Sequence, residues 1–322
     1  MSRPHRERGR RFAAVDLGSN GLKLTIIQEA GGVVHRLHES EVITRIAEGA
    51  AASGQLSAPA VERTLEALSE RVQLAEGWGV EAIAGVATAG LRGVGGADRF
   101  FRRAAQEAKL RLSVISGDTE AALSFRAATD LRLQPSLRGK NKETLVIDVG
   151  GRSTELARGR GSVPGRVQSL ALGGITLFER FVRDDPPCSD GLDALDAEVR
   201  SFLRREVDPE AFAAERALGL SGTVLALAGE ASGVSTLAEL RTAQPWVLTP
   251  RTVRDIAEKW AGMPSHARTR GELLPAGRSD VVVAGSRWVW GLMTHLQRDL
   301  EVSTASLGLG VALTLLDGAS PA

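Results

Sequence analysis

Two short segments of this chain carry the residue types that hold phosphate and metal, in the same order. Asp16-Leu17-Gly18-Ser19-Asn20 ends one apolar run, and Asp148-Val149-Gly150-Gly151-Arg152-Ser153 ends another. A glycine turn lets backbone N–H groups converge on an anion, and an aspartate at a strand end can hold a cation or its waters. Such an aspartate could instead tie its own turn together through side-chain-to-backbone bonds. Recurrence of the whole pattern favours phosphate and metal for Asp16 and Asp148. Glu155 follows the second turn. Ser116-Gly117-Asp118-Thr119-Glu120 lies between a predicted strand and helix, where a helix N-terminus attracts anions. Taken alone, Glu120 reads as an acid complementing the helix dipole. Arg92, after Thr88-Ala89, could clamp phosphoryl oxygens with two donors or serve as a surface ion-pair partner.

The elements that must position these residues follow from periodicity and punctuation. Each loop is flanked by apolar runs, which predicts two β-hairpins. After the first, Ser57-Ala58-Pro59 opens a helix that Gly77 and Gly79 end, followed by a strand over 80–87. A helix over 97–109, a strand over 112–115 and a helix from Asp118 to about Asp130 complete the first half. Pro135, Gly139 and the basic residues Arg138, Lys140 and Lys142 predict a loop near a lobe boundary. The second hairpin leads into a strand over 167–170, a helix over 175–182, and a helix capped by Asp190 that ends near Val207. A strand over 217–220, helices from Ser221-Gly222-Thr223, over 251–261 and over 279–295, a strand over 301–303 and a helix over 309–316 follow. Strands alternating with helices in both halves predict α/β with two mixed sheets.

Composition narrows the function. With 322 residues, 43% hydrophobic and 25% charged, the chain has the make-up of a soluble globular protein with room for two lobes. A net charge of +1 gives no general electrostatic case for nucleic acid or membrane partners. The lone Cys188 excludes an intrachain disulfide and a cysteine-built zinc site. No apolar run approaches ~20 residues and the N-terminus lacks a signal-peptide core, so the expected location is cytoplasmic. Residues 1–11, with five arginines, predict a disordered basic tail.

Taken in order, these segments resemble the exopolyphosphatase and guanosine pentaphosphate phosphohydrolase (Ppx/GppA) family of the actin-like ATPase superfamily. The resemblance is carried by Asp16 to Asn20, Ala87-Thr88-Ala89-Gly90-Leu91-Arg92, Ile115 to Ala121, Asp148 to Leu156, Ser169 to Gly173, Ser221-Gly222-Thr223 and Arg278 to Gly285. It implies two actin-like, ribonuclease H-like lobes with a cleft between them, the first 12–130 plus about 304–320 and the second 131–303. It resembles the short form without the HD domain that longer members carry. It implies release of terminal phosphate from inorganic polyphosphate, or attack on pppGpp, by water, with guanosine penta- or tetraphosphate as further ligands. Glu120 would be the general base. Mg²⁺ would be held by Asp148, Glu155 and Asp16. Gly18, Ser19, Asn20, Arg92, Gly150, Gly151, Arg152 and Ser153 would bind phosphate. A homodimer is left open. The sequence departs from the family at Gly21, Gly96, Arg152 and Thr176, where a hydroxyl residue, Asn, Gly and Arg are usual. If position 152 needs a left-handed backbone, a side chain there is strained; its guanidinium could bind phosphate or block metal. The alternatives are a non-catalytic sensor of the same ligands and an ATP-dependent kinase of the same superfamily.

Overall fold

The computed structural model describes residues 9–88, 91, 93–134, 142–242, 246–269 and 271–321, with the backbone alone at 51–52. Most of the predicted boundary loop, the tail over 1–8 and Arg92 therefore lie outside the described residues. The chain divides into two compact units, Met1–Gly139 with Leu307–Ala322, and Lys140–Ser306.

The first unit begins with β1 (Arg10–Leu17), β2 (Gly21–Ala30) and β3 (Val33–Ile43). A short α1 (Ala50–Ser53) and the long α2 (Ala58–Gly77) lead to β4 (Ala82–Ala87), α3 (Ala97–Glu107), β5 (Leu112–Val114) and α4 (Gly117–Thr129). Ser57 caps α2 by accepting from the Ala60 amide at 3.4 Å, and Pro59 sits in its first turn, where a missing N–H costs nothing. Leu65, Leu68 and Val72 recur at helical spacing and bury the α2 face against Val15, Leu22 and Leu24 of the sheet. Strand order is β3-β2-β1-β4-β5, with β1, β4 and β5 parallel. β1 starts at Arg10, paired with Glu29, so the last two residues of the predicted tail are strand. Arg11 is held there by Gln28 and the Trp78 carbonyl.

The second unit opens with β6 (Thr144–Val149), β7 (Thr154–Arg160) and β8 (Val163–Leu170), then α5 (Gly174–Phe181) and α6 (Ser189–Glu206). Cys188, not Asp190, occupies the α6 N-cap position; Asp190 lies in the first turn, where the helix dipole favours its charge. β9 (Arg216–Leu220), α7 (Gly222–Ser232), α8 (Leu237–Thr242), β10 (Val247–Leu248), α9 (Pro250–Ala261), α10 (Val282–Leu296) and β11 (Leu300–Val302) follow. Its sheet runs β10-β11-β9-β6-β7-β8, with β6, β9 and β11 parallel. Without the edge strand β10, this is the order and direction of the first sheet. Trp260 and Trp288 are buried in its core.

The chain then returns to the first unit as α11 (Leu307–Leu316), packed on α4 and β1. Gly310 permits that approach, because a Cβ there would overlap the Leu123 carbonyl. Two α/β units of matching topology are the actin-like architecture that the motif resemblance implies.

Candidate functional site

In each unit the chemistry-bearing loops leave the carboxyl ends of the parallel strands, the edge where open α/β sheets bind ligands. In the first unit these are Gly18-Ser19-Asn20 after β1, Thr88 after β4 and Ser116–Glu120 after β5. The Thr88 amide donates to the Leu17 carbonyl at 3.1 Å and the Ile115 amide to the Ala87 carbonyl at 3.0 Å, which joins the three strand ends. Glu120 lies in the first turn of α4, which Ser116 caps through the Thr119 amide, and is 9% exposed.

The Ser19 and Asn20 carbonyls turn away to accept from Ala47, and from Thr44 and Arg45. Their amides have no acceptor among the described residues, and both residues are half-exposed, an arrangement that suits an anion. Asp16 is buried, and the strand register sets Lys23 opposite it, with Glu41 beyond Lys23 on the same face. A Cβ at Gly21 would come 2.5 Å from Glu41 Oε1, so this acid fills the place of the hydroxyl side chain usual in the family. Gly96, where Asn is usual, has φ 86. Asn and Gly are the residues that tolerate that backbone, so the substitution keeps the turn and loses a side chain.

In the second unit the register places Glu155, not a lysine, opposite the equivalent aspartate, Asp148. Like charges directly across an antiparallel pair repel. Glu155 is 1% exposed, and burial followed by repulsion from Asp148 pushes its carboxyl up to about 8, against hydrogen bonds from Ser169 and Ser153 that lower it. Ser169 Oγ donates to Oε1 at 2.8 Å, while Oε2 is buried with no hydrogen-bond partner among the described residues. A buried carboxylate oxygen left in this state is costly unless a cation meets it. No three His, Cys, Asp or Glu residues among the described ones cluster as a metal cage. Two carboxylates with oxygen positions left for phosphate and water fit Mg²⁺, which is commonly held that way. Strand register separates the two aspartates: Asp16 has a lysine opposite it, and Asp148 has a second acid.

The loop after β6 is held by close backbone packing. Its carbonyls cap α5: Gly150 O accepts from Gly174 N at 3.2 Å, and Gly151 O accepts from Ile175 N at 2.7 Å and Thr176 N at 3.3 Å. The first turn of α5 is thereby occupied, whereas the Gly150, Gly151 and Ser153 amides have no acceptor among the described residues. A Cβ at Gly173 would lie 2.5 Å from Gly150 O and 2.6 Å from Gly151 C and O. Behind the loop, Trp288 Nε1 donates to Thr154 Oγ1 at 2.7 Å, and that hydroxyl donates to Leu172 O at 2.9 Å. Arg152 does not take a left-handed backbone, so the strain of a side chain in that conformation does not arise. Its Nη1 and Nη2 donate to Glu179 Oε2 and Oε1 at 3.1 and 2.8 Å. Ser221, by contrast, caps α7 with φ 117 and ψ 165, a backbone rarely used by any residue but glycine. Glu179, Ser169, Gly173 and Trp288 were not among the predicted site residues. Only Ser169 and Gly173 carried a signal, as members of the Ser169 to Gly173 motif.

The Ppx/GppA phosphatase family model matches residues 25–317. The chain belongs to this family. The first loop, Asp16 to Asn20, precedes the matched stretch. A protein of Mycobacterium tuberculosis named Exopolyphosphatase 2 is 29% identical over 95% of this chain and 98% of its own length. The crystal structure of the Aquifex aeolicus family member is 26% identical, with a TM-score of 0.79 over 96% of this chain and 98% of that one. An exopolyphosphatase structure from Cytophaga hutchinsonii, 22% identical with a TM-score of 0.83 over 97% and 99% of the two chains, shares the fold. No helix among the described residues is long and apolar enough to cross a membrane.

Proposed function

We propose that this family member is a Mg²⁺-dependent phosphohydrolase that releases the terminal phosphate of inorganic polyphosphate, with pppGpp as a second substrate. The observation that carries the reading is the Asp148–Glu155 pair, whose buried, repelled and partly unpartnered carboxyl calls for a divalent cation beside a loop of open amides. Asp148 and Glu155 would hold Mg²⁺, which supplies neutralisation of the phosphoryl oxygens when bound. The Gly150, Gly151 and Ser153 amides orient the phosphoryl group, and the Ser19 and Asn20 amides hold further phosphate oxygens. Asp16, opposite Lys23, anchors the first turn. Arg92 adds positive charge, a role that rests on the motif it closes. Glu120 takes a proton from the attacking water as the new P–O bond forms and the bridging P–O bond to the shortened chain breaks. Fork bonding of Arg152 to Glu179 supports an enzyme over a metal-blocked sensor. The Mycobacterium tuberculosis relative's name supports polyphosphate as the substrate.

The test is phosphate release from polyphosphate with Mg²⁺, wild type against Glu120→Gln. Loss of a general base lowers kcat at least ~100-fold. Equal rates in the two proteins would remove Glu120 from the chemistry, and no release by wild type would remove the hydrolase.

A further inference from the structure

Arg152 stands inside the phosphate-binding turn, flanked by the open amides of Gly151 and Ser153. In the free protein its guanidinium is taken up by Glu179, on the second turn of α5, through two parallel N–H···O bonds of 3.1 and 2.8 Å. A carboxylate that accepts both prongs of a guanidinium presents the same paired oxygens as a phosphoryl group. The pair is not needed to join loop and helix. The Gly174, Ile175 and Thr176 amides already pin the first turn of α5 to the Gly150 and Gly151 carbonyls. The two side chains are 19% and 38% exposed, so solutes reach them, and ion pairs at such exposure are weak enough for a denser anion to displace.

We propose that Glu179 is an internal stand-in for a phosphoryl group. It occupies Arg152 in the free protein and yields it to a phosphoryl group of the bound chain adjacent to the one on the glycine loop. The inference rests on the polyphosphate reading and deepens it. The Arg152–Glu179 exchange makes binding depend on a second phosphoryl group, which separates a polyphosphate chain from orthophosphate. Glu179 then sets selectivity by competing for the cation.

The experiment is calorimetric titration of the full-length protein with polyphosphate and with inorganic phosphate, Mg²⁺ present, for wild type, Glu179→Gln, Arg152→Gln and the double variant. Phosphate release and unfolding midpoints are measured alongside. Removing a half-exposed competitor of this kind should tighten polyphosphate binding about 3- to 5-fold in Glu179→Gln. Arg152→Gln should weaken it, and Glu179→Gln should have no further effect in the Arg152→Gln background. If Glu179→Gln binds no more tightly than wild type, or as weakly as Arg152→Gln with an unchanged unfolding midpoint, the pair is a strut and the inference is wrong. If no variant releases phosphate but the binding shifts appear, the hydrolase reading fails and the stand-in remains.

Discussion

Substituting Gly173 by Ala tests whether the phosphate loop is built by backbone contact. The new Cβ would sit 2.5 Å from Gly150 O and 2.6 Å from Gly151 C and O. Carbon contacts settle at ~3.5–4.0 Å, so loop and helix must separate by about an ångström. The atoms in the way are backbone and cannot rotate aside. That separation stretches the three amide–carbonyl bonds capping α5, already at 3.2, 2.7 and 3.3 Å. Overpacking of ~1–3 kcal/mol, with bonds worth ~0.5–1.5 kcal/mol each partly lost, gives an expected destabilisation of about 2–4 kcal/mol. Urea unfolding followed by tryptophan fluorescence reads mainly the second unit, which holds four of the five tryptophans, the buried Trp260 and Trp288 among them. Phosphate release should fall as well, because displaced carbonyls carry the Gly150, Gly151 and Ser153 amides with them. Gly262→Ala is the control: its Cβ would meet only Lys259 O at 3.6 Å and Glu258 O at 3.9 Å, at φ −78, so it should stay within ~0.5 kcal/mol of wild type. A Gly173→Ala protein that unfolds with Gly262→Ala and keeps wild-type activity would refute the reasoning.

Three further outcomes follow from single sites. Ser221→Gly should be neutral to stabilising, because glycine relieves ~1–3 kcal/mol of backbone strain and loses only a few tenths of the cap; Ser221→Ala keeps the strain, loses the bond from Val224 N and should cost ~1 kcal/mol, so matching signs for the two in urea unfolding would contradict this. Arg268 is 3% exposed and donates to the Trp260, Met263 and Ser279 carbonyls and to Asp185; in Arg268→Met, Trp260 O keeps Met263 N and Asp185 keeps Ser265, but the Met263 and Ser279 carbonyls lose this donor, which should cost ~2–4 kcal/mol, and a loss below ~1 kcal/mol would show that they find other donors. Hydrogen bonding from Arg132, with the Arg126 charge, holds the Asp317 carboxyl below its ordinary 3.8. The unfolded chain therefore binds the proton first, and the contribution is full well above pH 3.8 and fades as pH falls through the lower folded-state value. Asp317→Asn should cost under ~1 kcal/mol at pH 7, given the exposure of the pair, and the gap from wild type should close towards pH 3; a gap that widens on acidification would reverse the sign.

What the chain's sequence determined by itself was local and repeated. Apolar runs of strand length, glycine turns and ordered motifs are set by neighbours in the chain, and they specified two hairpins, two α/β units and the family. They also contained the asymmetry between the loops, since Lys23 and Glu155 follow their aspartates at the same spacing. The spacing became meaningful only once the hairpin register placed each residue directly opposite its aspartate. Tertiary structure decided the rest. Glu155 is pushed up by burial, which depends on everything packed over β7. Arg152 avoids a left-handed backbone and is forked onto Glu179, Thr154 is held by Trp288, and Glu41 lies over Gly21. Each of these contacts joins residues from separate elements, and no local period encodes which surfaces of α5, α10 or β3 will meet the loops. The same holds at the ends of the chain. Arg10 and Arg11 look like tail by charge but gain strand partners in β2, and α11 docks on the first unit because Gly310 leaves room for the α4 backbone.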